Sequence, residues 1–299
     1  MTRIALGLLV LLNAACAYAA GPGAEFLRVD NSARALAMGS AFTASGEGSM
    51  SLSYNPAGLA GTHSLEVGFS HTDWFLDTSH DHAAAALPTG GIGSLVLGFG
   101  ITRMNSGAMR ARSADRTVGT DFTSYDQAIT LGLAKAYGAL RAGLALKHVQ
   151  GAIAGERAAT LAMDFGLSRS LGKRLPLIFG TAVRNLGGTM RYMTQKDRLP
   201  LTLSGGVAAG LMPGVMVVLE LERDVYGRRT RLNLGSEYAL LSALTVRGGL
   251  ISAGSGPEMG GNGVSLGAGV ALIGVTLDFS AATMEGLGSV QKLTLTRRL

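Results

Sequence analysis

The chain has 299 residues, 44 of them glycine, with 47% apolar and 15% charged residues and a formal net charge of +6. That mixture excludes a disordered chain, and the positive mean hydropathy sets it apart from a strongly soluble one. Outside the first residues no run of about 18 to 20 apolar residues exists, so helical membrane spans do not explain the hydropathy. A membrane β-barrel does, because alternate residues face lipid and the apolar signal is spread thinly. The charge is too diffuse to argue for nucleic acid.

Residues 1–19 read as a secretion signal. Arg3 supplies the positive start, residues 4–12 an apolar core too short to span a bilayer, and Ala17, Tyr18 and Ala19 a small-x-small cleavage site. Cleavage after Ala19 removes Cys16, the sole cysteine, and leaves a net charge of +5 with no thiol chemistry. A lipoprotein reading needs Cys16 acylated, but Asn13 sits where such signals carry an apolar residue.

Residues 20–63 form a first unit before the strands begin. Its 32–60 stretch opens with a helix-like run capped by Asp30 or Ser32, continues in Ala33, Ala35, Ala37, Gly39, Ser40 and Ala41, and breaks between Ser45 and Ser49. Small side chains let such a helix lie close to its surroundings. Asn55, Pro56, Ala57 and Gly58 then turn the chain: proline fixes one φ, disfavours helix at Asn55, and leaves glycine free. Taken alone, these residues are equally a surface helix and a turn.

The pattern AxxMGxAF, ending in Met38, Gly39, Ala41 and Phe42 and preceded by Arg34, is followed by Asn55, Pro56, Ala57, Gly58 and Leu59 and then by His71, Thr72, Asp73 and Trp74. This arrangement resembles the amino-terminal region of the PorV/PorQ family, within the FadL-like superfamily of long-chain fatty-acid transporters of bacterial outer membranes. The resemblance implies that residues 20–63 are a hatch plugging a barrel, with the Asn-Pro-Ala turn inside the plug. It covers roughly the first quarter of the mature chain. Arg34, Met38, Gly39, Phe42, Asn55, Pro56, Ala57 and Gly58 are the candidate gate residues, and Asn55 the first choice among them, since its side chain could hold the turn around Pro56.

Residues 64–299 read as short alternating segments. Leu65, Val67 and Phe69 alternate with Glu66, Gly68 and Ser70, and a period of two gives each set its own face. The pattern returns with Leu95, Leu97 and Phe99, with Ile129, Leu131 and Leu133, with Leu140, Leu144 and Leu146 opposite Arg141 and Lys147, and onward to Leu293 and Leu295. Counting all such runs gives about fourteen, and outer-membrane barrels use even numbers of strands. Connections alternate between short ones, as at 137–139 and 273–274, and mostly longer ones, at 103–123, 152–157, 186–198, 224–229, 254–262 and 283–288. That alternation predicts a closed antiparallel barrel with both chain ends on the periplasmic side. Glu220, Glu222, Arg231, Glu237, Arg247, Asp278 and Lys292 fall on the inward face, where they either pair with one another and the plug or are hydrated. The last strand ends in Leu299 rather than the aromatic residue usual in barrel-assembly signals.

Sites of chemistry are hard to assemble. His80 and His82 lie two apart on one strand with His71 in the same hairpin, a conceivable metal site that no cysteine or carboxylate set completes, so no metal or cofactor is expected. Gly91, Gly93, Gly98 and Gly100 form no nucleotide fingerprint and read as easing strand curvature. Asp115, Asp121 and Asp126 near Arg110, Arg112 and Arg116 read as an exposed outer loop able to meet lipopolysaccharide phosphates. Three functions remain. The resemblance implies either passive passage of hydrophobic small molecules or, through PorV/PorQ, handling of secreted proteins in a type IX-like pathway. An outer-membrane lipid hydrolase would need a Ser-His constellation that the sequence does not offer.

Overall fold

The structure, a computed structural model, describes residues 23–74, 77–90, 95–112, 118–172, 175–192, 195–253, 262–284 and 288–299. The expected signal, together with Gly91, Gly93, Asp115 and Arg116, lies outside these residues. From Glu66 onward the chain is strand after strand: β1 (Glu66–Asp73), β2 (Ser79–Thr89), β3 (Leu95–Arg112), β4 (Val118–Tyr137), β5 (Leu140–Ile153), β6 (Glu156–Leu171), β7 (Leu177–Gly187) and β8 (Thr189–Tyr192). There follow β9 (Gln195–Arg198), β10 (Thr202–Met212), β11 (Val215–Asp224), β12 (Arg229–Ala239), β13 (Leu244–Ala253), β14 (Gly263–Leu272), β15 (Val275–Met284) and β16 (Gly288–Arg298). Fourteen of these close into one antiparallel barrel, and β8 and β9 make a separate hairpin between β7 and β10. The seam pairs β1 with β16, Glu66 opposite Arg298 and Phe69 opposite Leu295. Closure leaves no unpaired strand edge, the condition for a sheet to cross hydrocarbon.

Period-two alternation sorts the two faces. Phe69, Phe99, Leu131, Phe165, Leu221, Leu250, Leu266 and Phe279 point outward and are exposed. The intervening Ser70, Thr72, Lys147, Asp164, Glu220, Ser265 and Lys292 point inward and are buried. An apolar belt around the whole circumference far exceeds the patches a water-soluble monomer exposes, and its natural solvent is lipid.

Three connections differ from expectation. The 103–123 stretch is mostly strand, since β3 and β4 run on through register shifts near Met109 and Arg112. Their outer parts are polar on both faces, so the two-residue period fades there while the ladder continues. Asp126 is accordingly a strand residue, and Arg110 meets Asp121 across the ladder at 3.8 Å. The 152–157 loop is a two-residue turn, Ala154 and Gly155, both at positive φ (50° and 89°), the form that suits a tight hairpin. The 186–198 loop contains the β8–β9 hairpin, whose Met190 is buried against Phe26, Val149 and Leu199.

Ahead of β1, residues 23–62 fill the barrel. They comprise 3-10 turns at Glu25–Arg28, Ser49–Ser53 and Pro56–Gly61 and one short α-helix, α1 (Ala33–Ala37). The expected helix is thus cut to five residues: Gly39 and Ser40 both take positive φ, 63° and 64°, and the Ser40 N–H returns to the Ala35 carbonyl at 2.9 Å. Neither expected cap operates. Ser32 makes no side-chain cap bond, the Asp30 carboxylate accepts from the Ser40 hydroxyl at 2.6 Å, and the Tyr54 oxygen accepts instead from the Asn31 and Ser32 N–H groups at 2.8 and 3.1 Å.

Candidate functional site

The candidate site is the contact between this amino-terminal segment and the inner wall, and it runs round the whole barrel. At β16 the Ala33 N–H donates to the Thr294 hydroxyl, 2.8 Å. At β14 the Ser265 hydroxyl accepts from the Gly39 N–H at 3.0 Å and donates to the Ala37 carbonyl at 3.1 Å. At β12 the Glu237 carboxylate accepts two bonds from Arg34, at 2.8 and 2.9 Å, a forked geometry that fixes direction as well as distance. At β11 Glu220 accepts from the Thr43 N–H and hydroxyl at 2.8 and 2.7 Å. At β1 Glu66 accepts from the Ser49 N–H at 2.7 Å and from Arg298 of β16 at 2.9 Å, tying segment and seam together.

Asn55 caps the Pro56–Gly61 turn. Its Oδ1 accepts from the Ala57 N–H at 3.1 Å, while its Nδ2 donates to the Thr43 carbonyl at 2.8 Å and to the Leu167 carbonyl of β6 at 3.2 Å. One amide thus holds the turn, another part of the segment and the wall. Pro56 takes the first position of the turn, where its missing N–H costs nothing. Phe42 packs edge-on to Tyr54 with ring centroids 5.0 Å apart and under the Arg34 guanidinium. Met38 is buried with Ala41, Ala44, Ala208 and Val218.

Glycines make this seating possible. Inward-facing Gly143 lies so close to Pro56, and Gly166 to Asn55, that a Cβ on either would overlap the turn. Gly235 and Gly249 do the same for Met38 and Gly39, and Gly180 for Thr43. Gly98, expected to ease curvature, faces Leu59, whose Cδ1 would stand 2.7 Å from an added Cβ. Gly58 is needed within the segment itself, where a Cβ would meet Ser51 at 2.6 Å.

The seven inward charges are engaged. Glu222 pairs with Arg184 at 2.5 Å and with Arg231 at 3.2 Å. Arg247 joins Glu237 at 2.6 Å to Asp278 at 2.7 Å, so Arg34, Glu237, Arg247 and Asp278 form one chain of alternating sign. Lys292 donates to the Thr72 hydroxyl. Sequence reading placed Lys147 on this face but passed over Arg184 and Asp164, which pairs with Lys147 at 2.7 Å, braced by Asn185. The even spacing of Arg184 from inward Ala182 and of Asp164 from inward Ala162 was the available signal. It also passed over Arg28, paired with Asp224 at 2.9 Å, for which no local pattern exists.

The three histidines do not converge. His71 sits on the outward face against Asp81, Nδ1 to Oδ1 2.6 Å, while His80 and His82 are buried on the inward face. Register explains it, for Thr72 and Ser70, not His71, stand opposite His80 and His82. At the end of the barrel bearing the Pro213–Gly214 turn, a pocket of about 660 Å³ lined by Met212, Met216, Ala239 and Thr245 reaches inward to Glu237.

No family profile matches this sequence, and no curated protein matches it. Among solved structures, the toluene transporter TodX of Pseudomonas putida superposes with a TM-score of 0.66 at 13% identity over 90% of this chain and 97% of that one. A TodX monoaromatic hydrocarbon channel variant gives 0.66 at 11% identity over 90% and 99%. A FadL homologue from Pseudomonas aeruginosa gives 0.57 at 11% identity over 90% and 98%. At these identities the likeness is one of fold, a closed fourteen-strand barrel of the FadL and TodX type.

Proposed function

We propose that the protein is an outer-membrane barrel, exported through a cleaved signal, that passes hydrophobic small molecules and is gated by its amino-terminal segment. The observation that carries this reading is the way the lumen is closed. The plug is a covalent part of the chain, yet it is held by polar clamps at separate strands, among them Glu237, Glu220, Ser265 and Thr294, so it can be displaced without breaking the wall. The pocket that ends on Glu237 puts a solute within reach of one clamp. The fold shared with a toluene transporter and a FadL homologue supports the choice of hydrophobic cargo.

The test compares wild type with R34A and N55A in cells whose own hydrocarbon channels are deleted, following uptake of labelled toluene. Expression of wild type is expected to raise uptake over the empty vector, and loosening either clamp to change it at least about twofold, since weakening a clamp by 1 kcal/mol shifts an opening equilibrium about fivefold. Uptake at vector level for all three proteins would reject hydrophobic passage. Retention of particular exported proteins in the periplasm on gene deletion, with no uptake defect, would replace it with the PorV/PorQ-like role in secretion.

A further inference from the structure

One patch of the inner wall carries chemistry that the clamps do not use. Lys292 on β16, Thr72 on β1 and His80 on β2 are lateral neighbours, Thr72 being paired in register with both. Ser280 of β15 stands opposite Lys292 on its other side. All face the lumen, and Lys292, His80, His82 and Ser280 are each at most 2% exposed. The Lys292 ammonium bonds to the Thr72 hydroxyl, and no ion pair among the described residues includes it. Both ring nitrogens of His80, the Nε2 of His82 and the Ser280 hydroxyl are buried without a hydrogen-bond partner. His82 Nδ1 meets the Thr102 hydroxyl at 2.9 Å, so when Thr102 donates, Nε2–H is free to donate inward.

A buried ammonium left without a counter-charge is among the least favourable arrangements in a protein. The carboxylates around it do not fill that need. Asp81 points to the outer face and is taken by His71. Asp30 of the amino-terminal segment feels the Lys292 field, but its carboxylate is taken by the Ser40 hydroxyl and no ion pair among the described residues joins it to Lys292. The unpartnered groups are imidazole nitrogens beside an ammonium whose one bond is to a neutral hydroxyl, a donor set that suits an anion and, with the cation so near, repels a metal ion. We propose that Lys292, His80 and His82 form a binding site for a small monovalent anion, a halide or a short carboxylate, between the β1–β2–β16 wall and the amino-terminal segment. The site is independent of what crosses the barrel.

The experiment uses the purified full-length barrel in detergent, with thermal unfolding followed against sodium bromide or sodium acetate at constant ionic strength. Wild type is expected to gain about 2 to 5 °C saturably, and K292M and H80F to lose that gain. Crystals soaked in bromide should show an anomalous peak within contact of Lys292. Saturation by bromide alone assigns the site to a halide, and saturation by acetate, with bromide competing, assigns it to a carboxylate. Folding of each variant is checked by its heat-dependent shift on electrophoresis, and H80F serves where K292M does not insert. A wild-type response that is unsaturable and equal to that of a folded variant, or a metal ion at the imidazoles, overturns the proposal.

Discussion

Asn55 shows how much one side chain can hold. Replacing it with alanine removes two donations and one acceptance inside a buried contact, which should cost about 1 to 3 kcal/mol because the partners are left without bonds. N55D should be worse, since a carboxylate would face the carbonyls of Thr43 and Leu167. Urea unfolding of the detergent-solubilised barrel checks both, and a neutral N55A would mean that solvent replaces the amide. Asp30 gives a pH-dependent case. Burial raises its pKa, opposed by the Ser40 hydroxyl and the Lys292 charge, with Glu222 adding to the rise. A carboxyl raised in the fold contributes stability below its unfolded value and loses it as pH rises through the folded one. The unfolding temperature of wild type minus that of D30N should therefore fall as pH rises above the ordinary aspartate value of about 4, and a flat difference would remove burial as the cause.

At the scale of elements, the wall glycines separate two roles that look alike in a strand. G143A on β5 must push a Cβ into the backbone at Pro56, whereas G205A on β10 meets nothing within 4 Å. The first is expected to destabilise the protein by about 1 to 3 kcal/mol and the second to leave it unchanged or stabilise it by a few tenths. Guanidinium midpoints of the two variants check this, and equal effects would imply a backbone rather than a packing cause. The contrast also marks what sequence could reveal. Alternation exposed all fourteen wall strands and the inward side of Glu220, Glu237 and Lys292, because a period of two requires no knowledge of a partner. The reach of β3 and β4 was hidden, since beyond the apolar belt polar residues occupy both faces. The turn at Ala154 and Gly155 was hidden by its alanine at positive φ, where Asn or Asp would have been a clearer sign. The purpose of Gly143 and Gly166 could not be read at all, for it depends on where Pro56 and Asn55 come to rest.

The whole molecule is tied together twice, once by the β1–β16 seam and once by the segment bound inside it. Glu66 takes part in both, accepting from Ser49 within the segment and from Arg298 beside the chain end, and the Leu299 N–H donates to the Leu65 carbonyl at 2.8 Å. Deleting residues 288–299 should therefore prevent closure and free the segment together, seen as loss of the heat-dependent electrophoretic shift and cleavage of residues 23–62 by added protease. A truncated chain that kept the shift would show that fewer strands suffice. The bond from Ala33 to Thr294 spans 261 positions of sequence. A segment made early thus waits for nearly the last strand before it is fixed. Contacts of such separation form slowly, and until then this segment lacks the wall that buries it. Its seating can serve as the final step of assembly, with an unfinished barrel betrayed by a loose amino terminus that quality-control proteases can reach.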